Sequence, residues 1–155
     1  MTVRLEPMTP AAFDAYAARA SLAYGDELAA AGVLPPAEAR EKAGTDFSSL
    51  LPQGLDTPGH DLWTAYADDE VVGLLWIWQT PESTGPYLHV CDIEVVPGRR
   101  GQGYGRALME AAERVARERG AASIGLQVFG NNAVARALYD SLGYAVVRAQ
   151  MKKQL

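Results

Sequence analysis

The stretch PGRRGQGYGRALM, residues 97–109, sets Gly101, Gly103 and Gly105 at alternate positions among Arg99, Arg100 and Arg106. Before it, residues 87–96 read as a β-strand that ends at Pro97 and Gly98. After it, Leu108, Ala111, Ala112 and Val115 form the apolar stripe of a helix, with Glu110/Arg114 and Glu113/Arg117 as i,i+4 pairs on its wet side. A glycine-dense turn between strand and helix can be a plain tight connection, because glycine relaxes the backbone anywhere. At a helix start, however, the free N–H groups face outward and the dipole favours negative charge, so bare glycine backbone lets a phosphate approach closely. The alternation of glycines with three arginines favours an anion site.

The spacing narrows the choice of anion. A Walker loop needs GxxxxGK followed by Ser or Thr, but here Gly98 and Gly103 are followed by Tyr104 and Gly105, without the lysine or the hydroxyl. A dinucleotide fingerprint needs GxGxxG and an acid about 20 residues on, and neither requirement is met, since residues 123–127 carry no acid. His60 and His89 fall in no metal-ligand spacing, and with one cysteine no zinc site is expected. No GxSxG elbow is present.

Periodicity orders the rest of the chain. Residues 3–6 read as a short strand closed by Pro7. From Pro10 to about Ala31, Phe13, Tyr16, Ala17, Ala20, Tyr24, Leu28 and Ala31 recur at threes and fours, a helix stopped by Gly32. A second helix is expected over residues 35–51, with Pro35 or Pro36 in its first turn, then a Pro- and Gly-rich loop over 52–60. Residues 62–67 and 71–78, around Asp68, Asp69 and Glu70, read as a hairpin. Beyond Gly120 come a strand over 123–129, a helix over 132–142 with Val134, Leu138 and Leu142 four apart, its stop at Gly143, and a last strand over 144–151. This order predicts an α/β (α+β) protein, a single mixed, mostly antiparallel sheet flanked by helices, with residues 1–155 as one domain.

Composition agrees with one ordinary core: 155 residues, 48% hydrophobic and 21% charged. The single Cys91 fits a reducing compartment, and neither a secretory leader nor a membrane-length apolar run is read from the sequence, so a cytoplasmic protein without membrane contact is expected. The net charge of −5 argues against a general nucleic-acid binder. Residues 1–77 hold 4 basic against 12 acidic side chains, net −8, whereas residues 78–155 hold 10 against 7, net +3. Solvated faces of differing sign would give this split; so would a polyanion held by the second half and a cationic partner met by the first.

RxxGxG, met by Arg100, Gly103 and Gly105 after a strand, together with NAVARALYDSLGY over 132–144, resembles the Gcn5-related N-acetyltransferase superfamily, and the element order is similar along the whole chain. The resemblance implies the acyl-CoA N-acyltransferase fold and acetyl-CoA as co-substrate. Ile93 and Val95 would pair through their backbone with the pantetheine arm. The N–H groups of Gly101, Gln102, Gly103, Gly105 and Arg106 would hold the pyrophosphate, with Arg100 assisting by its side chain. Asn132 would bond the pantetheine side, although capping the last helix explains that residue equally well. The implied reaction is direct attack of an amine on the thioester. Tyr139, one position off the helix stripe, matches the family tyrosine that protonates or bonds the departing sulfur, and the Val95 N–H is the expected oxyanion donor.

The base is less determined. By strand alternation Cys91, Ile93 and Val95 share one face and Asp92 and Glu94 the other. Glu94, nearest the expected acetyl position, is the candidate base, with a salt bridge to an arginine as its competing role, and a water relay from Glu94 or His89 is a further option. Some relatives carry a glutamate where this chain has Gln127. Cys91 reads as a small buried residue, and Trp63, Trp76 and Trp78 as core or as walls of an acceptor pocket. The expected protein is an acetyl-CoA-dependent N-acetyltransferase for a primary amine, small molecule or protein, needing no metal and acting as monomer or homodimer. The alternative is a non-catalytic CoA-binding sensor or partner module.

Overall fold

In a computed structural model of the chain, residues 1–80 and 85–155 are described. Five strands form one sheet in the order β1-β2-β3-β4-β5: β1 (Arg4–Pro7), β2 (His60–Ala67), β3 (Glu70–Thr80), β4 (Tyr87–Val95) and β5 (Ser123–Leu126). The first four pair antiparallel, and β5 alone runs parallel to its neighbour β4. Four helices accompany them: α1 (Pro10–Ala30), α2 (Pro36–Leu50), α3 (Tyr104–Glu118) and α4 (Ala133–Ser141). The mixed sheet expected from the element order is therefore the one observed.

Local chemistry explains the boundaries. Thr9 caps α1 by accepting from the Ala12 N–H at 3.2 Å, Pro10 takes the first turn, and Gly32 at φ +70° ends the helix region. The β2–β3 turn runs through Asp68 and Asp69, both at positive φ, a hairpin geometry that short polar side chains tolerate.

Two apolar clusters lie on opposite faces of the sheet. One joins Val72, Leu75, Ile77, Leu88 and Val90 to Leu108, Met109 and Ala112 of α3. The other joins Leu62, Leu74 and Trp76 to Tyr16 of α1, with Phe13, Ala20 and Phe47 packed around it. The sheet thus separates a layer of α3 and α4 from a layer of α1 and α2.

Several expectations need correction. β5 stops at Leu126 instead of reaching 129, because β4 diverges from it there and no further ladder bonds form. Residues 144–151 form no strand, since residues 145–155 make no backbone hydrogen bond among the described residues and are exposed throughout. In α4, Val134 is 85% exposed, while Leu138, Tyr139 and Leu142 together pack on the core. Glu113 pairs with Arg117 at 2.9 Å, but among the described residues no such bridge joins Glu110 and Arg114.

Candidate active site

The cleft arises from a failure of pairing. β4 and β5 are bonded only from Tyr87/Ser123 to Val90/Leu126, so residues 92–95 of β4 have no strand beside them on the β5 side. Val96 donates to Val72 O at 3.0 Å on the β3 side, and by antiparallel alternation the N–H of Val95 faces the open side. An extended ligand arm can pair there as an added strand does.

At the end of this cleft the chain makes a short 3-10 turn over Pro97–Arg99 and then starts α3. Gly101 at φ +72° and Gly103 at φ +91° hold a left-handed backbone that side-chain-bearing residues adopt only under strain. No side chain caps α3. Among the described residues, none of the backbone N–H groups of Gly101, Gln102, Gly103, Tyr104, Gly105 and Arg106 has a partner; the first helical bond in this stretch is Ala107 N to Gly103 O. Six consecutive free donors at the positive end of a 15-residue helix form a cradle for a multiply charged anion. Gly105 sits where a Cβ would stand 3.3 Å from Leu138 Cδ2, so the α3 start is pressed against α4.

The arginines of the turn are engaged with the protein itself. Arg100 Nε donates to Val95 O at 3.2 Å, Arg106 Nη2 to Ser141 Oγ at 2.6 Å, and Arg99 pairs with Glu70. The Arg100 contact corrects the expectation for Val95: its carbonyl is already taken by a guanidinium, leaving its N–H as the group that faces the cleft. Asn132 caps α4, its Oδ1 accepting from Ala135 N at 3.1 Å, so the capping role is the one observed, with its Nδ2 left over.

On the α1 side of β4 the sequence reading of faces needs revision. In the β3–β4 register Trp76 pairs with Asp92 and Ile77 with Val90, which leaves Cys91 as an extra residue, a β-bulge. The bulge turns Cys91 toward the α1/α2 cluster while Ile93 and Val95 stay with the α3 cluster, so these three do not share a face. Burial, then the nearby Asp92 charge, pushes the Cys91 thiol up to about 12, which keeps it protonated and inert.

Asp92 accepts a 2.6 Å hydrogen bond from the hydroxyl of the buried Tyr16. Burial raises its carboxyl above the ordinary aspartate range, and the Glu94 charge adds to this, against the Tyr16 bond, the Ile93 N–H and Arg19. Glu94, the expected base, is ion-paired with Arg19 at 3.1 Å. That contact is the salt bridge to an arginine weighed as its competing role. Tyr16 escaped the sequence reading because it sits in the apolar stripe of α1. The signal available was that a buried tyrosine hydroxyl needs a polar partner, but nothing in the order of residues said which.

Tyr139 is half-buried between the α3 cluster and Tyr144, ring centroids 6.0 Å apart. Burial, then the charges of Asp92 and Glu27, raises its phenol above the usual value, so it is protonated at neutral pH. A groove of about 230 Å³ is lined by Glu27 and Ala30 of α1 and by Phe129, Asn131 and Asn132 ahead of α4. The remaining candidates sit elsewhere. His60 Nδ1 accepts from Trp76 Nε1 at 2.9 Å and its ring stacks on Trp78; His89 bonds the Tyr87 hydroxyl at 3.0 Å; Gln127 is exposed past the end of β5.

A splayed parallel pair with an amide cradle at its end defines an acyl-transfer fold, and comparison with known proteins agrees. The Acetyltransferase (GNAT) family model matches residues 28–144. YycN of Bacillus subtilis, described as an uncharacterized N-acetyltransferase, is 33% identical over all of both chains, and its crystal structure superposes with a TM-score of 0.94 over 99% of each. YdgE of the same organism, described in the same terms, is 29% identical over all of this chain and 99% of its own. Streptothricin acetyltransferase of Streptomyces lavendulae is 37% identical over 60% of this chain and 48% of its own length. The chain belongs to the GNAT acetyltransferase family and is an N-acetyltransferase. The enzyme reading therefore stands over the non-catalytic sensor. Among the described residues no helix is long and apolar enough to cross a membrane.

Proposed function

We propose that residues 1–155 act as one catalytic domain that moves an acetyl group from acetyl-CoA to a primary amine carrying further positive charge. Bound acetyl-CoA supplies an activated thioester carbonyl. The six unpartnered amides of residues 101–106 carry this reading, since free donors at a helix start suit a diphosphate. Ile93 and Val95 lie along the strand edge that would bond the pantetheine arm, the Asn132 Nδ2 would reach the same arm, and the Val95 N–H would serve as oxyanion donor.

Tyr139, protonated through burial, would donate to the departing thiolate. In place of Glu94, Asp92 would take the proton from the incoming amine, directly or through water, because its raised carboxyl binds a proton more tightly than an exposed aspartate does. Tyr16 is a positioning residue that holds Asp92. Glu27, Asp92 and Glu94 lie close enough to act on one another's charge, and this acidic group favours a cationic acceptor, as the acidic first half of the chain suggests.

Thiol release from acetyl-CoA, measured across a panel of mono- and polycationic amines with products identified by mass, tests the reading. Acceptor-dependent release is expected, and CoA should slow deuterium exchange at residues 101–106. Gly103→Asp should weaken CoA binding by about tenfold or more, since it adds a bulky anion at a positive-φ position. Unchanged binding in that variant would remove the cradle from the mechanism.

A further inference from the structure

The last turn of α1 carries charge of the wrong sign for its place. A helix C-terminus is the negative end of the dipole and usually gathers Lys, Arg or His, yet this turn has no basic residue and holds Glu27. Its neighbour Asp26 is met by Arg40 at 3.7 Å, whereas among the described residues no cation pairs with Glu27 and no hydrogen bond reaches its carboxylate. Lys152, which does bond this end of the helix, donates to Gly32 O at 3.0 Å instead. Burial raises the Glu27 carboxyl above the ordinary glutamate range, and the Asp92 charge adds to this. The fold therefore keeps a carboxylate at a cost that an arriving cation would offset.

The groove beside Glu27 has the chemistry to receive one. The Phe129 ring lines it and is backed by Tyr24 of α1, with centroids 6.2 Å apart. Asn131 lines it as well, and its side chain makes no hydrogen bond among the described residues, so its amide oxygen is open to a donor. Carboxylate, aromatic ring and amide oxygen together suit an alkylammonium. Among the described residues the lining holds no cation, so an anion would find no counter-charge there. At about 230 Å³ the groove is smaller than the roughly 300–1,000 Å³ of pockets for drug-sized molecules, which fits one ammonium on a methylene chain and not a ring system. Its position also matters. Asn132, the residue proposed to reach the pantetheine arm, is part of the lining, and the Glu27 charge is felt at Tyr139.

We infer, on the acetyl-transfer reading above, that this groove seats the second ammonium of a linear diamine whose other amine is acetylated, with Glu27 as the specificity-determining carboxylate. The distal charge then sets which amines are used, while the chemistry stays with the residues already described.

Rates with short alkane-α,ω-diamines, set against n-alkylamines of the same length, test this. In the intact chain kcat/KM should favour the diamine by about tenfold or more, and Glu27→Gln, nearly isosteric at an exposed position, should cut that ratio by about tenfold, through KM for the diamine and not KM for acetyl-CoA. Glu27→Asp should keep part of the preference, and Phe129→Leu should lose part of it. A probe that cannot be acetylated gives a readout apart from turnover: calorimetry should show an α,ω-bis(trimethylammonium) alkane binding the CoA-loaded intact chain and binding Glu27→Gln about tenfold more weakly, both proteins being folded by circular dichroism. A diamine preference that survives Glu27→Gln, or quaternary-ion binding that does, overturns the inference and leaves acetyl transfer standing. Equal use of diamines and monoamines by the intact chain removes the cationic-acceptor reading itself, and this inference with it.

Discussion

Tyr139 and Asp92 come from different elements, Asp92's charge acts on Tyr139, and both are shifted in the same direction by burial. The consequences differ. A phenol that stays protonated is a donor, so Tyr139→Phe is expected to lower kcat by about 100-fold while leaving KM for acetyl-CoA nearly constant. Steady-state kinetics at saturating amine reads this split, and an unaltered kcat would take Tyr139 out of the proton transfer. For Asp92 the folded carboxyl titrates above its unfolded value, so its ionised form is disfavoured by the fold and weakens it at neutral pH. Asp92→Asn keeps an oxygen for the Tyr16 hydroxyl and removes that charge. The melting temperature at pH 7 should therefore hold or rise while activity falls about tenfold or more and the acidic limb of the pH–rate profile disappears. A Tm loss with normal activity would reverse the assignment.

Among elements, the crossing of β3, β4 and α3 is the tightest place. A Cβ at Gly73 would stand 2.2 Å from Glu94 O and 3.0 Å from Leu108 Cδ1. Gly73→Ala should then cost about 1–3 kcal/mol in urea unfolding, and since Gly73 pairs with Val95 it should also weaken CoA binding. Intact stability would mean that the strand can shift freely. Most elements were legible in the sequence because their apolar residues repeat cleanly: α1 starts at Pro10, and the Asp68–Asp69 turn lies where the hairpin was expected. The bulge at Cys91 was not legible, because an extra residue leaves period-two composition intact while reversing which way Cys91 points. Residues 144–151 misled for the opposite reason. Their pattern is that of a strand, but periodicity describes a side-chain arrangement and says nothing about where a partner backbone will come from. The amide cradle was readable from alternate glycines, whereas the Tyr16–Asp92 bond joins positions 76 apart and depends on packing.

For the whole molecule, two histidines add a pH dependence of opposite sign to that of Asp92. Burial lowers both His60 and His89 below the ordinary value. The unfolded chain takes up these protons near pH 6.5 and the folded chain resists, so the stabilisation is complete above about pH 6.5 and is lost as pH falls through the lower folded values. Thermal melts between pH 8 and pH 5 should show Tm declining below about 6.5, and His89→Gln should flatten part of that decline. Because protonation of Asp92 acts in the opposite sense, the decline is read against His89→Gln, and identical melts of the two proteins from pH 8 to pH 5 would contradict the burial of the His89 ring.

The sheet keeps the two apolar clusters on separate faces, one under α3 and its amide turn and one under α1 and α2. On the function proposed above, recognition of the shared donor depends mostly on main-chain atoms, which mutation cannot easily delete, while the acceptor side would be built from side chains on two helices that can be repacked without disturbing them. Such a molecule is a chassis with an exchangeable front: descendants can adopt new amines one helix face at a time and never relearn how to grip the coenzyme.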